Sequence, residues 1–246
     1  MTTRESATAR SRLQNALRSR SGNIATKIRR RARAKWEERV VRRLALRALV
    51  ARTGNFGDVT WLGKPVWQNI TDIWALQEVI VDRDVDVVLE CGTNRGGLTY
   101  FFASLFDLRG KGTVVTVDIA DLMEFTHPRI ERFLGSSIDG DVVEKVRARI
   151  TELAPKNLLI LLDSDHAEDH VYGELRAYAD LVGVGDFVVV QDGVIDELRI
   201  FRDSRPGPLG AIRRFLAEDN RFVVDKQRST RFLFNHSPSG WLRRIN

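Results

Sequence analysis

The chain has 246 residues and a formal net charge of +6, with 43% hydrophobic residues, 29% charged residues, 18 glycines and 6 prolines. These proportions exclude collagen-like, low-complexity and wholly disordered chains, and the length allows one large domain or two small ones. The single cysteine, Cys91, excludes an internal disulfide framework and fits the reducing cytoplasm in which we expect the protein. The absence of any run of about 18 uncharged apolar residues predicts that no helix spans a membrane.

The positive charge is concentrated at the N-terminus. Residues 1–52 contain 16 Lys and Arg but 3 Asp and Glu, a net charge of +13, whereas residues 53–246 carry a net charge of −7. In the segment from Trp36 to Arg52 one stripe of a helix would carry Trp36, Val40, Val41, Leu44, Ala48 and Leu49. We therefore predict a basic arm with an amphipathic helix over residues 1–52 and a single α/β domain over residues 53–246.

Three interpretations of the basic arm stay open. It is a tail whose helix packs on the domain or on a second subunit of a homo-oligomer, a peripheral anchor at an anionic membrane, or a transit peptide. The last is suggested because Glu5 is the one acid in residues 1–34. No aromatic residue precedes Trp36 to stack on bases, and the domain is acidic, so we expect no nucleic-acid partner.

The domain is predicted to alternate helices and strands. In chain order the helices are Ile73–Val81 (with Thr71 as N-cap and Asp72 in the first turn), Leu98–Leu108, Asp141–Leu153, Asp169–Leu181 and Gly210–Glu218. The strands are Val85–Glu90, Thr113–Val117, Leu158–Leu162, Phe187–Val190, Arg221–Asp225 and Arg231–Asn235. This alternation, with apolar strands, predicts a Rossmann-like, doubly wound and mostly parallel sheet.

Four successive strands of this sheet end in polar residues. These are Glu90, Asp118, Asp163 and the pair Gln191-Asp192. Ligands of open α/β sheets bind outside the carboxyl ends of the strands. We therefore predict a site at this edge.

The loop after the first of these strands is rich in glycine. It reads Glu90-Cys-Gly-Thr-Asn-Arg-Gly-Gly97, and its spacing departs from the dinucleotide-binding pattern G-x-G-x-x-G. Glycine lets the backbone approach a ligand closely, so Gly92, Asn94 and Gly96 are candidate cofactor contacts. Asp118 on the next strand could accept hydrogen bonds from two ribose hydroxyls. The alternatives are a plain tight turn for the loop and a helix N-cap for Asp118.

The third and fourth strands indicate a cation site. Carboxylate and amide oxygens suit Mg²⁺, so Asp163, Gln191 and Asp192 are candidate ligands. A cation there could chelate adjacent substrate hydroxyls, and the imidazole of His166 could accept a hydroxyl proton near neutral pH. The alternative is that these residues cap the following helices. His170 is interpreted as an ordinary residue of a helix face.

From about Thr60 to its C-terminus the chain resembles the cephalosporin-hydroxylase/rhamnosyl O-methyltransferase family, which belongs to the class I S-adenosylmethionine-dependent methyltransferases. The resemblance is carried by Trp61-Leu-Gly63, Thr71-Asp-Ile-Trp-Ala-Leu-Gln77, Glu90–Gly97, Val117-Asp118-Ile119, Gly135-Ser-Ser137, Leu162-Asp-Ser-Asp-His166, Gly207-Pro-Leu209 and Gly240-Trp-Leu-Arg243.

The resemblance implies a class I methyltransferase fold and an S-adenosylmethionine cofactor. It implies that the cofactor contacts Glu90, Gly92, Asn94, Gly96 and Asp118 at the first two strand ends. It also implies contacts with Ser136 and Ser137 around the adenine and with Asp163 at the third strand end. It implies Mg²⁺ or another divalent cation at Asp163, Gln191 and Asp192, with His166 as general base. The family's fourth-strand motif is Glu-Asp, so the amide of Gln191 is a departure.

The function predicted from the sequence is therefore methyl transfer to a hydroxyl of a saccharide, of the rhamnosyl type on a glycolipid, or of a natural product. The basic arm suits a peripheral contact with an anionic membrane. Two alternatives are an inactive protein of the same fold that serves as a tethered scaffold, which Gln191 favours, and a nucleotide-dependent oxidoreductase. The glycine spacing disfavours the oxidoreductase.

Overall fold

The structure is a computed structural model that describes the backbone of residues 3–246 and the side chains of residues 27–246. The first helix, α1, spans Thr3–Arg52, so the basic arm is helical well before the Trp36 start of the predicted stripe. Residues 1–52 contain no proline and many arginines, leucines and alanines, which are strong helix formers. Chain contacts define one compact unit that ends at Arg47 and a second that spans Ala48–Asn246.

The second unit is built from short strands and helices in alternation. Its remaining helices are α2 (Ile70–Asp82), α3 (Gly97–Arg109), α4 (Gly140–Leu153), α5 (Glu168–Tyr178), α6 (Pro208–Glu218) and α7 (Lys226–Ser229). Its strands are β1 (Thr60–Trp61), β2 (Lys64–Pro65), β3 (Val87–Cys91), β4 (Thr113–Asp118), β5 (Ile130–Leu134), β6 (Leu158–Leu162), β7 (Phe187–Val190), β8 (Phe222–Val224) and β9 (Trp241–Arg244). Among the described helices none is both long and apolar enough to cross a membrane.

Seven of the strands form one sheet in the order β5-β4-β3-β6-β7-β9-β8, and β1 and β2 form a separate hairpin. The first five strands of the sheet are parallel, while β9 runs antiparallel to both of its neighbours. The predicted α/β class with a mostly parallel, doubly wound sheet is confirmed.

The sheet is covered on both faces, which explains why its central strands are apolar throughout. One buried cluster packs α4, α5 and α6 on one face and includes Val146, Leu175 and Phe215. The other packs α2 and α3 on the opposite face and includes Leu76 and Phe102. Buried on both sides, β3 and β6 hold the loops at their carboxyl ends in place.

The largest departures from the predicted elements concern the edges of the sheet. The predicted strand Arg231–Asn235 is wrong, because α7 precedes it and the segment then runs irregularly towards β9. Both β5 and β9 went unpredicted, since Glu131 and Arg132 in β5 and Arg243 and Arg244 in β9 break the apolar pattern. Charged side chains are common on edge strands such as β5, and β9 is the strand next to the opposite edge strand, β8.

The start of α2 also differs from the prediction. The helix begins at Ile70, and its N-cap is Asn69, whose side-chain oxygen accepts a hydrogen bond from the N–H of Thr71. The predicted N-cap, Thr71, therefore lies inside the first turn. Asp72 lies in the first turn as predicted, but it is buried.

Candidate active site

A cavity of about 790 Å³ opens at the edge of the sheet where β3, β4, β6 and β7 end. The pairing register sets Cys91 beside both Val117 and Leu162, and Leu162 beside Val190. The polar residues that follow these positions therefore meet at one edge, as predicted. Of the predicted site residues, those that line the cavity are Gly92, Asn94, Asp118, Ser136, Ser137, Asp163, His166 and Asp192.

The glycine-rich loop between β3 and α3 passes very close to the end of β6. Gly92 has a φ of +104°, and a Cβ atom built on it would lie 2.1 Å from the carbonyl oxygen of Asp163. Its N–H donates to the carbonyl of Val117 over 2.8 Å. The loop backbone itself therefore forms the cavity wall. Gly96, the N-cap of α3, lies behind this wall, where a Cβ would meet Met123.

Replacing Gly92 with alanine is expected to lower the free energy of unfolding by more than about 2 kcal/mol, because the methyl group would meet backbone that cannot move aside. The matched control is Gly63→Ala, since Gly63 also has a positive φ but has no atom within 4 Å of a built Cβ. Urea denaturation of both variants measures the difference. Equal losses of stability would show that the close approach at Gly92 is unimportant.

Asp118, at the end of β4, binds two backbone amides. Its Oδ2 accepts from the N–H of Asn94 over 2.7 Å, and its Oδ1 accepts from the N–H of Ala120 over 2.8 Å. The alternative of a helix N-cap is wrong, because the segment after Asp118 leads to β5 without a helix. Each carboxylate oxygen can accept a second hydrogen bond, so Asp118 keeps the capacity to bind hydroxyl groups from the cavity.

A second part of the cavity wall is formed by a hydroxyl-rich cluster. Ser137 and Ser164 each donate to Oε1 of the buried Glu174 over 2.5 Å, and both hydroxyls lie within hydrogen-bond distance of His170 Nε2. The hydrogen bond to Glu174 raises the pKa of His170. His170 is therefore part of the cavity wall and not an ordinary helix-face residue. Ser136 lies beside Ser137 on the same wall.

Glu90, a predicted cofactor contact, is fully buried and does not line the cavity. Its Oε2 accepts hydrogen bonds from Thr99 and Thr116 over 2.5 and 2.7 Å, while its Oε1 has no partner among the described residues. Burial raises the pKa of Glu90 to about 7. The carboxyl group therefore titrates near neutral pH in the folded protein.

The stability of the protein is expected to depend on pH through Glu90. Because its pKa is raised from 4.5 to about 7 by burial, the folded state loses stability as pH rises through this range, by an amount of the order of 3 kcal/mol. Glu90→Gln removes this loss, so its stability relative to wild type should grow from about pH 5 to about pH 8.

Urea denaturation across this pH range measures the effect. The control is Glu131→Gln, because the hydrogen bond from Arg149 lowers the pKa of Glu131 and keeps it ionised over the whole range. A difference between Glu90→Gln and wild type that does not change with pH would contradict the prediction.

Asp163, His166 and Asp192 lie together at the centre of the cavity. One ligand atom from each lies within 4.8 Å of the others. His166 Nε2 is 3.1 Å from Asp192 Oδ2, and Asp163 Oδ2 accepts a hydrogen bond from Gln68 Nε2 over 2.6 Å. The capping alternative does not apply to Asp163, because Asp165 is the acid that binds the backbone before α5, accepting from the N–H of Ala167.

The two carboxyl groups have opposite electrostatic environments. Burial, together with the charge of Asp192, raises the pKa of Asp163 well above its usual range. Burial acts in the same direction on Asp192, but a hydrogen bond from His236 and the charges of His166 and His236 lower its pKa overall. Asp192 also has a left-handed backbone, with a φ of 55°, a conformation that aspartate tolerates better than most residues. A positive charge near Asp163 would stabilise the two carboxyl groups together.

Gln191 is not brought into the cavity wall. Its side chain is buried, and its Oε1 accepts a hydrogen bond from Ser237 Oγ over 2.5 Å. The adjacent backbone carries Asp192 into the cavity instead. The strand β7 ends at Val190 and the backbone of Asp192 is left-handed, so the chain turns between the two side chains and only Asp192 faces the cavity.

Around the two carboxylates of this site, sequence reasoning missed three residues. His236 places Nδ1 2.9 Å from Asp192 Oδ1, Asp72 accepts a hydrogen bond from the backbone N–H of His236, and Gln68 binds Asp163. His236 and Asp72 are 164 positions apart in the chain, so no local spacing links them. The one signal was that Asp72 belongs to the resemblance motif that begins at Thr71 and that Gln68 lies three positions before this motif.

The donor set suits a hard divalent cation together with a polar cofactor. Two carboxylates within reach of one point, one of them with a raised pKa, are typical oxygen ligands for Mg²⁺. The remaining wall combines close backbone, the carboxylate of Asp118 and serine hydroxyls. Such a wall can hold a ligand that carries a ribose, while an imidazole next to the carboxylates can accept a proton.

Comparisons with known proteins agree with this geometry. The family model described as Rhamnosyl O-methyltransferase/CmcI matches residues 54–245. The rhamnosyl O-methyltransferase of Mycobacterium tuberculosis (strain ATCC 25618 / H37Rv) is 30% identical over 191 residues, which cover 75% of this chain and 78% of the relative. The enzyme of the same name from Mycobacterium leprae (strain TN) is 27% identical over 197 residues, which cover 78% and 86%.

Solved structures share the fold. CmcI with Mg and SAM superimposes with a TM-score of 0.57 at 17% identity, over 78% of each chain. The apo form of CmcI superimposes with a TM-score of 0.59 at 18% identity, again over 78% of each chain. At these identities the likeness shows the fold alone.

Proposed function

The chain belongs to the rhamnosyl O-methyltransferase/CmcI family of O-methyltransferases, and from this premise we propose that it transfers the methyl group of S-adenosylmethionine to a hydroxyl of a saccharide. The observation that carries the proposal is the meeting of Asp163, His166 and Asp192 in a cavity whose other wall is the glycine-rich loop. An inactive scaffold is disfavoured, because this triad is intact.

The residues that would hold the cofactor are those of the loop and of the two neighbouring strand ends. Gly92 lets the backbone approach the ligand, and Asp118 has lone pairs left for the ribose hydroxyls. Ser136 and Ser137 line the cavity and are proposed to receive the adenine, with Ser137 oriented by Glu174. Asn94 contributes from the loop. The cavity volume of about 790 Å³ leaves room for an acceptor as well.

Glu90 and Gly96 act from behind the wall. Glu90 binds Thr99 at the start of α3 and Thr116 on β4. Gly96 is the left-handed N-cap of α3. In this proposal both shape the loop that receives the cofactor, Glu90 from a fully buried position.

The cation is proposed to bind Asp163 and Asp192. When bound, S-adenosylmethionine supplies an electrophilic methyl group and the cation supplies charge that lowers the pKa of substrate hydroxyls. Relief of the repulsion between the two carboxyl groups would favour this binding, because that repulsion is one cause of the raised pKa of Asp163.

His166 is proposed as the general base. Its Nε2 lies 3.1 Å from Asp192, so Nδ1 is the nitrogen left to take the proton of the acceptor hydroxyl, and Asp192 stabilises the imidazolium that forms. The hydroxyl oxygen would form the bond to the methyl carbon as the carbon–sulfur bond breaks, with S-adenosylhomocysteine as the leaving group. The cavity contributes chiefly by holding the two reactants in line.

The acceptor class is supported by the aromatic residues at the cavity. Trp67 and Phe201 line it, and Trp67 is half exposed with a left-handed backbone, a strained conformation for so bulky a residue. An exposed indole is a suitable surface for the apolar face of a deoxy-sugar ring. The curated relatives are rhamnosyl O-methyltransferases, and we propose a rhamnosyl-type saccharide, on a glycolipid or a natural product, for this chain.

The test is incubation of the full chain with methyl-labelled S-adenosylmethionine, MgCl₂ and a panel of rhamnosides and other deoxy-sugar glycosides, followed by mass spectrometry. A labelled glycoside supports the proposal. Binding of S-adenosylmethionine without transfer to any glycoside would contradict the acceptor class, and failure to bind S-adenosylmethionine would contradict the whole proposal.

A second proposal concerns the basic arm, which we infer makes a peripheral contact with anionic membranes. On α1, Trp36 and Leu44 are exposed and lie about two helical turns apart among exposed arginines such as Arg39 and Arg43. We expect the full chain to sediment with vesicles that contain phosphatidylserine but not with phosphatidylcholine alone, and to be released by salt. Arg39→Gln/Arg43→Gln should weaken this binding, and equal binding to both vesicles would contradict it.

A further inference from the structure

The tetrapeptide Phe234–Ser237, between α7 and β9, is held from one side by the start of α2. The carbonyl of Phe234 accepts hydrogen bonds from the side chains of Asn69 and Thr71, the latter over 2.9 Å. The backbone N–H of His236 donates to Oδ2 of Asp72 over 2.6 Å. Three polar residues at the start of one helix therefore bind this tetrapeptide.

The same tetrapeptide is held from the other side by the end of β7. Ser237 Oγ donates to Gln191 Oε1 over 2.5 Å, and the carbonyl of His236 accepts from the N–H of Val194 over 3.2 Å. His236 Nδ1 then reaches Asp192 Oδ1 at 2.9 Å. The edge of Phe56 packs against the imidazole, with ring centroids 4.5 Å apart. The imidazole is thus fixed in both position and tilt.

The polar residues that make these contacts are buried. Asn69, Asp72, Gln191 and Ser237 are each at most 3% exposed. A buried polar group is destabilising unless it is hydrogen-bonded, so all four are tied to the partners they have. Within the tetrapeptide, His236 is the residue that lines the cavity.

His236 is poorly placed to act on a substrate directly. It is 5% exposed, and its Nε2 is buried without a hydrogen-bond partner among the described residues. Its Nδ1 is already directed at Asp192. The contact that His236 makes towards the site is therefore with the carboxylate of Asp192.

We propose that His236 is a positioning residue that orients the carboxylate of Asp192, and that Gln191 supports it through Ser237 instead of binding the cation. The inference rests on the proposed function, since it concerns the orientation of a proposed cation ligand. It also accounts for the amide at position 191. A fourth acid beside Asp163, Asp192 and the buried Asp72 would add like charge, whereas an amide accepts the hydrogen bond of Ser237 without charge.

The test compares three substitutions of His236. Asparagine places an amide N–H close to the Nδ1 position, glutamine places it close to the Nε2 position, and leucine has no donor. Mn²⁺ affinity and S-adenosylmethionine affinity are measured by calorimetry, and kcat is measured with a glycoside that wild type methylates.

We expect His236→Leu to weaken Mn²⁺ binding and to lower kcat by about 10- to 100-fold, with S-adenosylmethionine affinity unchanged. His236→Asn should stay within about threefold of wild type, because the hydrogen bond to Asp192 is kept. A His236→Leu protein with wild-type Mn²⁺ binding and kcat would overturn the inference, and so would a His236→Asn protein as defective as His236→Leu. If His236→Leu does not fold, His236→Asn is compared with His236→Gln instead. Equal Mn²⁺ affinity and equal kcat in these two variants would overturn the inference.

Gln191→Glu tests the second half of the proposal. The carboxylate can still accept from Ser237, so a supporting role predicts Mn²⁺ affinity no tighter than wild type. Affinity at least tenfold tighter would show that position 191 reaches the cation and would overturn this half. A wild-type protein that binds no Mn²⁺ contradicts the cation part of the proposed function instead, and the kcat values of the His236 series still decide whether His236 positions Asp192.

Discussion

Asp163→Asn is expected to abolish methyl transfer, with a loss in kcat of about 1,000-fold or more. The substitution keeps the shape of the side chain and a partner for Gln68, but it removes one of the two carboxylates on which the proposed cation site depends. Labelled-methyl transfer and Mn²⁺ calorimetry measure the effect, and Mn²⁺ binding should be lost together with activity.

The matched control is Asp169→Asn, because Asp169 is an exposed acid on α5 that pairs with Arg214 away from the cavity. It should behave as wild type. Full activity in Asp163→Asn would reject the proposed mechanism. A further check follows from the raised pKa of Asp163, which burial causes first and Asp192 second. Protons compete with the cation for this carboxylate, so Mn²⁺ affinity of wild type should fall as the pH is lowered.

His166→Ala is expected to lower kcat by about 100- to 10,000-fold, the range that a positioned general base contributes. Binding of S-adenosylmethionine should survive, because His166 lies on the carboxylate side of the cavity, near Asp192. The two effects are separated by measuring kcat in the transfer assay and cofactor affinity by calorimetry. The combination of lost turnover with intact cofactor binding distinguishes a base from a residue that only holds the fold.

His127→Ala provides the control for the loss of an imidazole that pairs with an acid. His127 Nε2 lies 3.0 Å from Asp107 Oδ2, and His127 does not line the cavity. We expect its kcat to equal that of wild type. If His166→Ala retained more than about half of the wild-type kcat, proton transfer would have to be assigned to another group.

Much of the fold could be predicted from the sequence because its central strands are buried on both faces. The predicted strands Leu158–Leu162 and Phe187–Val190 match β6 and β7 residue for residue. Their uninterrupted apolar runs indicate strands that are buried on both faces. Where a strand lies at or near an edge, as β5 and β9 do, charged residues interrupt the pattern and local reasoning fails.

The division of the chain at residue 52 stays a prediction, as does the homo-oligomer. The roles of the individual site residues are likewise proposals, although their convergence in one cavity is a property of the structure. The resemblance motifs led to the family that the comparisons then identified.

By itself the sequence determined that polar residues follow successive strands and that helices alternate with these strands, a pattern that makes the strands parallel and places their carboxyl ends at one edge of the sheet. It thereby brought Gly92, Asp118, Asp163 and Asp192 to one edge of the sheet. Only the tertiary structure decided which side of the chain each residue presents there. Gln191 faces inward to Ser237, and His236 arrives from the far end of the chain to meet Asp192. These two placements depend on packing between α2, β7 and the segment before β9, which no spacing along the chain encodes.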